Sequence, residues 1–348
     1  MTNTVRHKLV GIAYGLAFCE ARGIDLVERA AAGVYLTWDE LSALADSCRE
    51  AHRGGSFVLS ATAALRFNAF IPFFLWRTET VLARANADNR RLAILGREQF
   101  EARVRSTAPK ANHNTGPSPG ELLGLTQRQR ELFWRVITAG DPSNPFRPDL
   151  QFRNQAILAT AYRLGLRAGE LLALKARDLR LADDPATVTI HRRHNDPEDP
   201  RKPQPVAKTR ARVLELDVEL RDTLTDWIVK HRANRNRFPA ARKHPFVFVN
   251  HRGEPLSDRG LRKVYERLRA CSPELSGLIG HVLRHDWNDR WVELAAAEGW
   301  DHSEAEQDQK YAMGWSLTSK MPERYGRRAI RNRANSRILR LQEKATGK

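Results

Sequence analysis

Between residues 106 and 120 the chain reads Ser-Thr-Ala-Pro-Lys-Ala-Asn-His-Asn-Thr-Gly-Pro-Ser-Pro-Gly. Pro, Gly, Ser and Asn dominate, and no apolar periodicity runs through it, so it supplies neither a helix nor a strand to a core. A chain interrupted in this way folds as two units, residues 1–105 ahead of the linker and residues 121–348 behind it. The length of 348 residues suits two domains. The apolar share of 41% is enough to give them a core.

Residues 1–105 read as mostly helical. Thr37-Trp38-Asp39-Glu40 is a capping box opening a helix over Leu41–Arg49. Ser60–Ala87 reads as a longer helix, too rich in Leu65, Phe67, Phe70, Phe73, Phe74 and Trp76 to lie in solvent, with Pro72 placed to kink it. Arg66, Arg77 and Arg84 are expected on its exposed side, where a solvated basic face and a face for a polyanion fit equally. After the linker, helices are predicted over Thr126–Ala139, 151–166, Glu219–His231, Ser257–Ala270 and His281–Ala297. Strands are predicted over Val188–His191, Arg212–Leu216 and Phe246–Val249. The Pro-rich, charged stretch between the first two strands reads as a long hairpin or loop. Residues 298–310 read as an acidic loop, Tyr311–Tyr325 as ending in a helix or turn, and 326–348 as a basic tail. The predicted fold class is mainly α with a small β-sheet (α+β).

Charge narrows the partner. There are 58 Lys+Arg against 41 Asp+Glu, a net +17, with a pI near 10.3. Such a field attracts polyanions, and nucleic acid is the leading class; a merely basic or ribosome-associated protein is the alternative. The excess is uneven: residues 1–105 carry 14 basic and 11 acidic side chains, and residues 106–348 carry 44 and 30. The later part is therefore expected to make most phosphate contacts. Cys19, Cys48 and Cys271 are too far apart and too few for a disulfide framework or a zinc site, which fits a reducing compartment. Arg6 and Lys8 precede the apolar run Leu9–Cys19, but Glu20 and Arg22 follow at once and no A-x-A-like cleavage site is present. The run is read as a buried N-terminal helix of a cytoplasmic protein. No segment reaches the roughly 18 apolar residues of a membrane span.

Three clusters carry chemistry. Gly165-Leu166-Arg167-Ala168-Gly169-Glu170-Leu171 places Arg167 at a turn into a helix, with Glu170 one turn later to orient it; a surface Arg167–Glu170 pair is the plainer reading of the segment alone. His281-Val282-Leu283-Arg284-His285 puts His281 and Arg284 on one helical face. A zinc helix is disfavoured, since Val282 stands where the Glu of H-E-x-x-H belongs. Met313-Gly314-Trp315-Ser316 is followed by Tyr325 ten residues after Trp315. Together with Lys208, these are the groups that phosphoryl transfer without a metal needs. Arginines hold phosphate oxygens fork to fork, Lys and His move protons, and a tyrosine hydroxyl is a nucleophile.

In this order the chain resembles the tyrosine recombinase (phage integrase) family. That pattern is a G-L-R-x-x-E-L helix, a lysine on a β-hairpin, an H-x-L-R helix, a G-H/W pair and a tyrosine about ten residues on. The resemblance covers roughly 125–330, and Ser60–Trp76 resembles the helix ahead of the linker in the family's core-binding domain. It implies a helical core-binding, DNA-clamping domain over 1–105 and a tyrosine-recombinase-like catalytic domain over 121–348. Arg167 and Arg284 would bind the non-bridging oxygens of the scissile phosphate and stabilise the five-coordinate transition state. Tyr325 would attack phosphorus to give a 3′-phosphotyrosyl, Lys208 would protonate the leaving 5′ oxygen, and His281 would assist proton transfer. Glu170 would buttress Arg167. Trp315 stands where most members have histidine; its indole N–H donates a hydrogen bond but is no base. Lys202 competes with Lys208 on the Pro-rich hairpin, and Lys208 is preferred because Lys-Thr lies just ahead of the second strand. Glu298–Asp308 reads as a loop insertion. Tyr311 is the fallback nucleophile, with a core aromatic near Trp315 as its favoured alternative. The tail 326–348, with eight Lys/Arg and one Glu, resembles a helix that docks on a neighbouring protomer.

The resemblance implies a site-specific recombinase or integrase that conserves bond energy in the phosphotyrosine and needs no cofactor, ATP or metal. Its alternatives are a type IB topoisomerase-like nick-and-reseal enzyme and a non-catalytic DNA-binding protein of the same fold. The implied partners are double-stranded DNA carrying a specific site and, on synapsed DNA, a homotetramer of a chain monomeric when free. Accessory DNA-bending proteins are further implied partners, and the place is the cytoplasm, at the nucleoid.

Overall fold

Helix starts in the first part of the chain are fixed by caps legible in the sequence. The Thr37 hydroxyl accepts from the Glu40 N–H at 3.3 Å and the Glu40 carboxylate accepts from the Thr37 N–H at 2.8 Å, opening Trp38–Arg49. The predicted helix over Ser60–Ala87 ends at Arg84, and the Asn86 side chain opens a further helix, Ala87–Thr107, that the patterning did not single out. The structure is a computed structural model that describes residues 3–50, 57–58, 60–84, 86–109, 124–323, 334–335 and 337–343. Tyr325, the linker from residue 110 and most of the tail lie outside the described residues. The chain divides into two compact units, Met1–Pro119 and Gly120–Lys348.

The first unit consists of α1 (Asn3–Ala21), α2 (Leu26–Ala31), α3 (Trp38–Arg49), α4 (Ser60–Arg84) and α5 (Ala87–Thr107). Its core is aromatic. Phe67, Phe70 and Phe74 of α4 are fully buried with Tyr35 and Phe100; Tyr35 stacks on Phe100 with ring centroids 5.3 Å apart, and Phe74 meets Phe100 edge-on at the same separation. α4 runs through Pro72 without ending. Arg66 departs from the expected exposed basic face. Its guanidinium is buried, donates to the carbonyls of Cys48 (2.9 Å) and Glu50 (2.6 Å), and covers the Tyr14 ring, so it closes the end of α3. The run read as a buried N-terminal helix is α1, but Leu9, Val10 and Leu16 remain exposed, so only one face is covered.

The second unit is built on α7 (Pro148–Leu164), whose residues 156–162 are all buried. Around it lie α6 (Gln127–Ile137, capped by Thr126), α8 (Ala168–Ala173), α9 (Val218–Asp226, continued by a π-helical Trp227–Arg232), α10 (Asp258–Cys271), α11 (Gly280–Glu298) and α12 (His302–Met313). One antiparallel sheet runs in the order β1 (Leu179–Arg180), β2 (Thr187–Ile190), β3 (Arg212–Glu215), with Val188 opposite Leu214 and Ile190 opposite Arg212. The fold is therefore mainly helical with a small sheet, as the patterning predicted.

Two local expectations fail. Phe246–Val249 is fully buried but, among the described residues, forms only isolated bridges, Lys175 with Phe246 and Val249 with Pro255, because its neighbours at Leu174–Lys175 and Pro255–Leu256 pair with it only briefly. The acidic stretch at 298–310 is not a loop. Asp301 accepts from the Ser303 and Glu304 N–H groups and starts α12, where acidic side chains suit the helix N-terminus. No described helix is long and apolar enough to cross a membrane.

Candidate active site

Arg167 is the residue that caps α8, and the carboxylate that fixes it is Glu170. The Arg167 N–H donates to Glu170 Oε2 at 2.7 Å. Glu170 is 1% exposed, and its other oxygen accepts from Arg212 Nη1 at 2.9 Å and from the Thr209 hydroxyl. Burial alone would raise the pKa of this carboxyl. The Arg212 charge and the hydrogen bonds from Arg212, Thr209 and Arg167 outweigh burial and hold it below the ordinary glutamate range. Glu170 thus fixes Arg167 through the backbone, not through the guanidinium, as the sequence suggested. Nη1 of Arg167 is buried and has no hydrogen-bond partner among the described residues. A Cβ at Gly169 would fall 2.3 Å from the Val206 carbonyl oxygen, so glycine here lets the chain ahead of Lys208 run directly against α8.

Arg284 approaches from α11. It is 0% exposed, and Nη1 and Nη2 donate to the carbonyls of Gly165 (2.7 Å) and Met313 (2.9 Å), with Glu170 Oε2 3.8 Å from Nη1. Its position joins the end of α7 to the end of α12. The Trp315 ring centroid lies 5.5 Å from Arg284 Cζ, within cation–π range. The turn carrying Trp315 is tied to the hairpin: the Arg210 N–H donates to the Gly314 carbonyl at 2.9 Å, and Arg212 Nε donates to that of Ala312 at 2.7 Å.

These ties bring the separated motifs together. Arg167, Lys208, His281 and Arg284 line one cleft of about 530 Å³. Arg167 and Lys208 also line an adjoining cleft of about 660 Å³ together with Trp315. His281 is exposed at the start of α11, its ring edge-on to His285 at 5.1 Å. Lys202 is exposed and lines neither cleft. Tyr311, the fallback nucleophile, is neither in a cleft nor in the core. It is 58% exposed, and its hydroxyl donates to the Val213 carbonyl (3.0 Å) and accepts from the Val213 N–H (3.3 Å). The position of Tyr325 lies outside the described residues.

The Pro-rich stretch between β2 and β3 is an ordered insert. Arg193 pairs with Asp178 (2.6 Å), buried Lys175 with Asp196 (2.5 Å) and Glu198 (2.6 Å), and Arg201 with Asp199 (2.7 Å) while also reaching the Leu172 and Leu256 carbonyls. Lys175 and Arg177 pull the Glu198 pKa down to about 2. The residues that sequence reasoning missed are Thr209 and Arg212, the partners of Glu170. The available signal was an arginine at an inward position of a strand, which demands a buried carboxylate.

Residues 143–328 match the sequence profile of the phage integrase family, a span of more than half the chain. The chain belongs to the phage integrase family. The matched span takes in Arg167, Lys208, His281, Arg284, Trp315 and Tyr325. Among related proteins, the tyrosine recombinase XerC of Bacillus pumilus is 31% identical over 156 residues, 45% of this chain and 43% of that protein. The tyrosine recombinase XerD of Halalkalibacterium halodurans is 27% identical over 224 residues, 63% of this chain and 64% of that one. The chain spans about half the length of several of the curated relatives it matches. Among solved structures, the Tn1549 transposon integrase in complex with transposon right end DNA is similar at 17% identity with a TM-score of 0.43, over 88% of this chain and 100% of that one.

Proposed function

We propose that this member of the phage integrase family is a site-specific DNA recombinase that cleaves and rejoins DNA through a 3′-phosphotyrosyl intermediate. The observation that carries the reading is the convergence of Arg167, Lys208, His281 and Arg284 on one cleft from α8, the hairpin and α11. The Tyr325 oxygen attacks phosphorus and passes its proton toward His281. The bond from phosphorus to the 5′ oxygen breaks, and Lys208 gives that oxygen a proton. Arg167 and Arg284 hold the non-bridging oxygens as charge builds in the five-coordinate transition state. Arg167 Nη1, buried without a hydrogen-bond partner among the described residues, suits such an acceptor. A different 5′ hydroxyl then attacks the phosphotyrosine and reverses the sequence, so the phosphodiester energy is kept and no ATP is used. Trp315 donates a hydrogen bond where the family more often has histidine. The helical unit Met1–Pro119 supplies the second half of the grip on duplex DNA, and four copies act on a synapsed pair of sites in the cytoplasm.

The test is a duplex nicked just beyond the cleavage point, so that the leaving strand diffuses away. The expected result is a covalent protein–DNA adduct that survives denaturation, maps to Tyr325 and is lost in Tyr325→Phe. It should form equally in EDTA. An adduct on another residue, or no adduct on DNA that the protein binds specifically, overturns the reading. Exchange of strands between two duplexes separates recombination from nick-and-reseal activity.

A further inference from the structure

The two clefts that share Arg167 and Lys208 differ in charge. The one that contains His281 is also lined by Asp258 and Glu266. The one beside Trp315 has no carboxylate in its lining, yet it holds four cations, Arg167, Arg192, Lys208 and Arg210. None of the four is in an ion pair among the described residues, whereas most arginines around them are.

The insert between β2 and β3 explains the imbalance. Its three carboxylates, Asp196, Glu198 and Asp199, are taken up by Lys175, Arg177, Arg193 and Arg201, none of which lines this cleft. Arg192 and Arg210 are left facing the cleft. Both lie just past the paired strands: the ladder ends where Ile190 faces Arg212, two residues before Arg192 and two after Arg210, and both arginines are exposed. Both are held. Arg192 Nε is 3.2 Å from His194 Nε2, and the Arg210 backbone is anchored on Gly314. The exposed residues Ser316 and Thr318 also line this cleft.

We propose that Arg192 and Arg210 form a second phosphate subsite, which binds a backbone phosphate flanking the scissile one. A guanidinium pair with no carboxylate in its cleft matches a phosphate, and neither arginine lines the cleft that holds His281 and Arg284. The inference rests on the recombinase reading for the identity of the scissile phosphate. The anion subsite itself does not.

The experiment has two arms. In the first, a random-sequence 30-base-pair duplex is titrated at several salt concentrations with wild type, Arg192→Gln, Arg210→Gln and the double variant. Each lost contact should make the log–log salt slope shallower by about 0.9 and weaken binding by about tenfold or more. In the second, the cleavage point mapped by the wild-type adduct is used to place single methylphosphonates at each phosphate within three nucleotides of it. A neutral linkage at the contacted phosphate should abolish the further effect of Arg192→Gln and Arg210→Gln on binding, and those at other positions should not. Unchanged salt slopes, or the same effect of the variants on every methylphosphonate duplex, overturn the proposal, and so does coupling to the scissile phosphate alone. If wild type forms no adduct, the recombinase reading falls, and the salt slopes alone decide the subsite.

Discussion

Arg212 Nη1 lies 2.9 Å from Glu170 Oε1, and neither side chain has more than 1% of its surface exposed. This one pair binds the start of β3 to α8, and through the remaining bonds of its members it reaches the Arg167 backbone, Thr209 beside Lys208, and the end of α12. Three segments that carry or adjoin candidate catalytic groups, α8, the hairpin and the end of α12, are thereby tied to one buried ion pair. Arg212→Met is expected to cost about 3–5 kcal/mol, because it leaves Glu170 buried without its cation. Adding Glu170→Gln should recover part of that loss, since the orphaned charge is removed. Thermal melts of the full chain for the two single variants and the double variant check this; strict additivity would mean that the pair does not act as a unit.

Lys208 and Lys202 are separated by experiment more sharply than by sequence. Both are exposed, so alanine at either should change stability by no more than about 0.5 kcal/mol. Lys208 lines both clefts and Lys202 neither. Lys208→Ala is expected to slow cleavage by about 100- to 10,000-fold, the range for a lost general acid, while Lys202→Ala stays within about threefold. A substrate with sulfur in place of the leaving 5′ oxygen needs no proton on departure. It should restore cleavage by Lys208→Ala, and failure to do so would assign Lys208 to phosphate binding instead.

Legibility followed the range of each interaction. Caps at Thr37 and Thr126 and the Gly165 break rest on neighbours within three residues, and the structure starts helices after the two threonines and ends one at Gly165. Arg167, His281 and Arg284 were singled out by local motifs, and the structure places all three on one cleft. Arg66 was misplaced because its partners, the Cys48 and Glu50 carbonyls, are 16 to 18 residues away and have no side-chain signature. The same holds for Arg212, whose partners lie on α8 and at the end of α12. The acidic stretch at 298–310 misled because charge density was read as loop, when Asp301 and Glu304 are the first turn of a helix. Phe246–Val249 has the composition of a strand, but a ladder needs a neighbour that composition does not reveal.

Gly314 and Gly299 share a left-handed backbone, at φ 63° and 70°, but not their surroundings. A Cβ at Gly299 meets nothing within 4 Å, so Gly299→Ala should cost only the conformational penalty, about 1–2 kcal/mol. A Cβ at Gly314 would lie 2.6 Å from Arg212 Nη1 and 2.9 Å from the Arg210 carbonyl oxygen. Gly314→Ala should therefore destabilise further and push the hairpin away from Trp315, lowering the rate of adduct formation as well. Equal melting shifts with unchanged cleavage in both variants would show that the contact between hairpin and turn is unimportant.

His244 gives the second unit a pH dependence of definite sign. Burial lowers its pKa, and the Arg232 and Arg201 charges add to this against the opposing Gly253 carbonyl and Asp199. Nδ1 accepts from the Phe246 N–H at 3.2 Å, so Nε2 carries the proton that it donates to the Gly253 carbonyl at 2.8 Å. The neutral ring is the form that fits. Above the ordinary histidine pKa, near 6.5, folded and unfolded chains are both neutral here and the group adds no slope. As pH falls below that value the unfolded chain takes up a proton first, so stability drops, by at most about 1.4 kcal/mol per pH unit for this one site, until the lower folded pKa is reached. His244→Asn removes the titration. Melting temperatures at pH 7.5 and 5.5 should differ less in that variant than in wild type, and an equal or larger difference would place the pH sensitivity elsewhere.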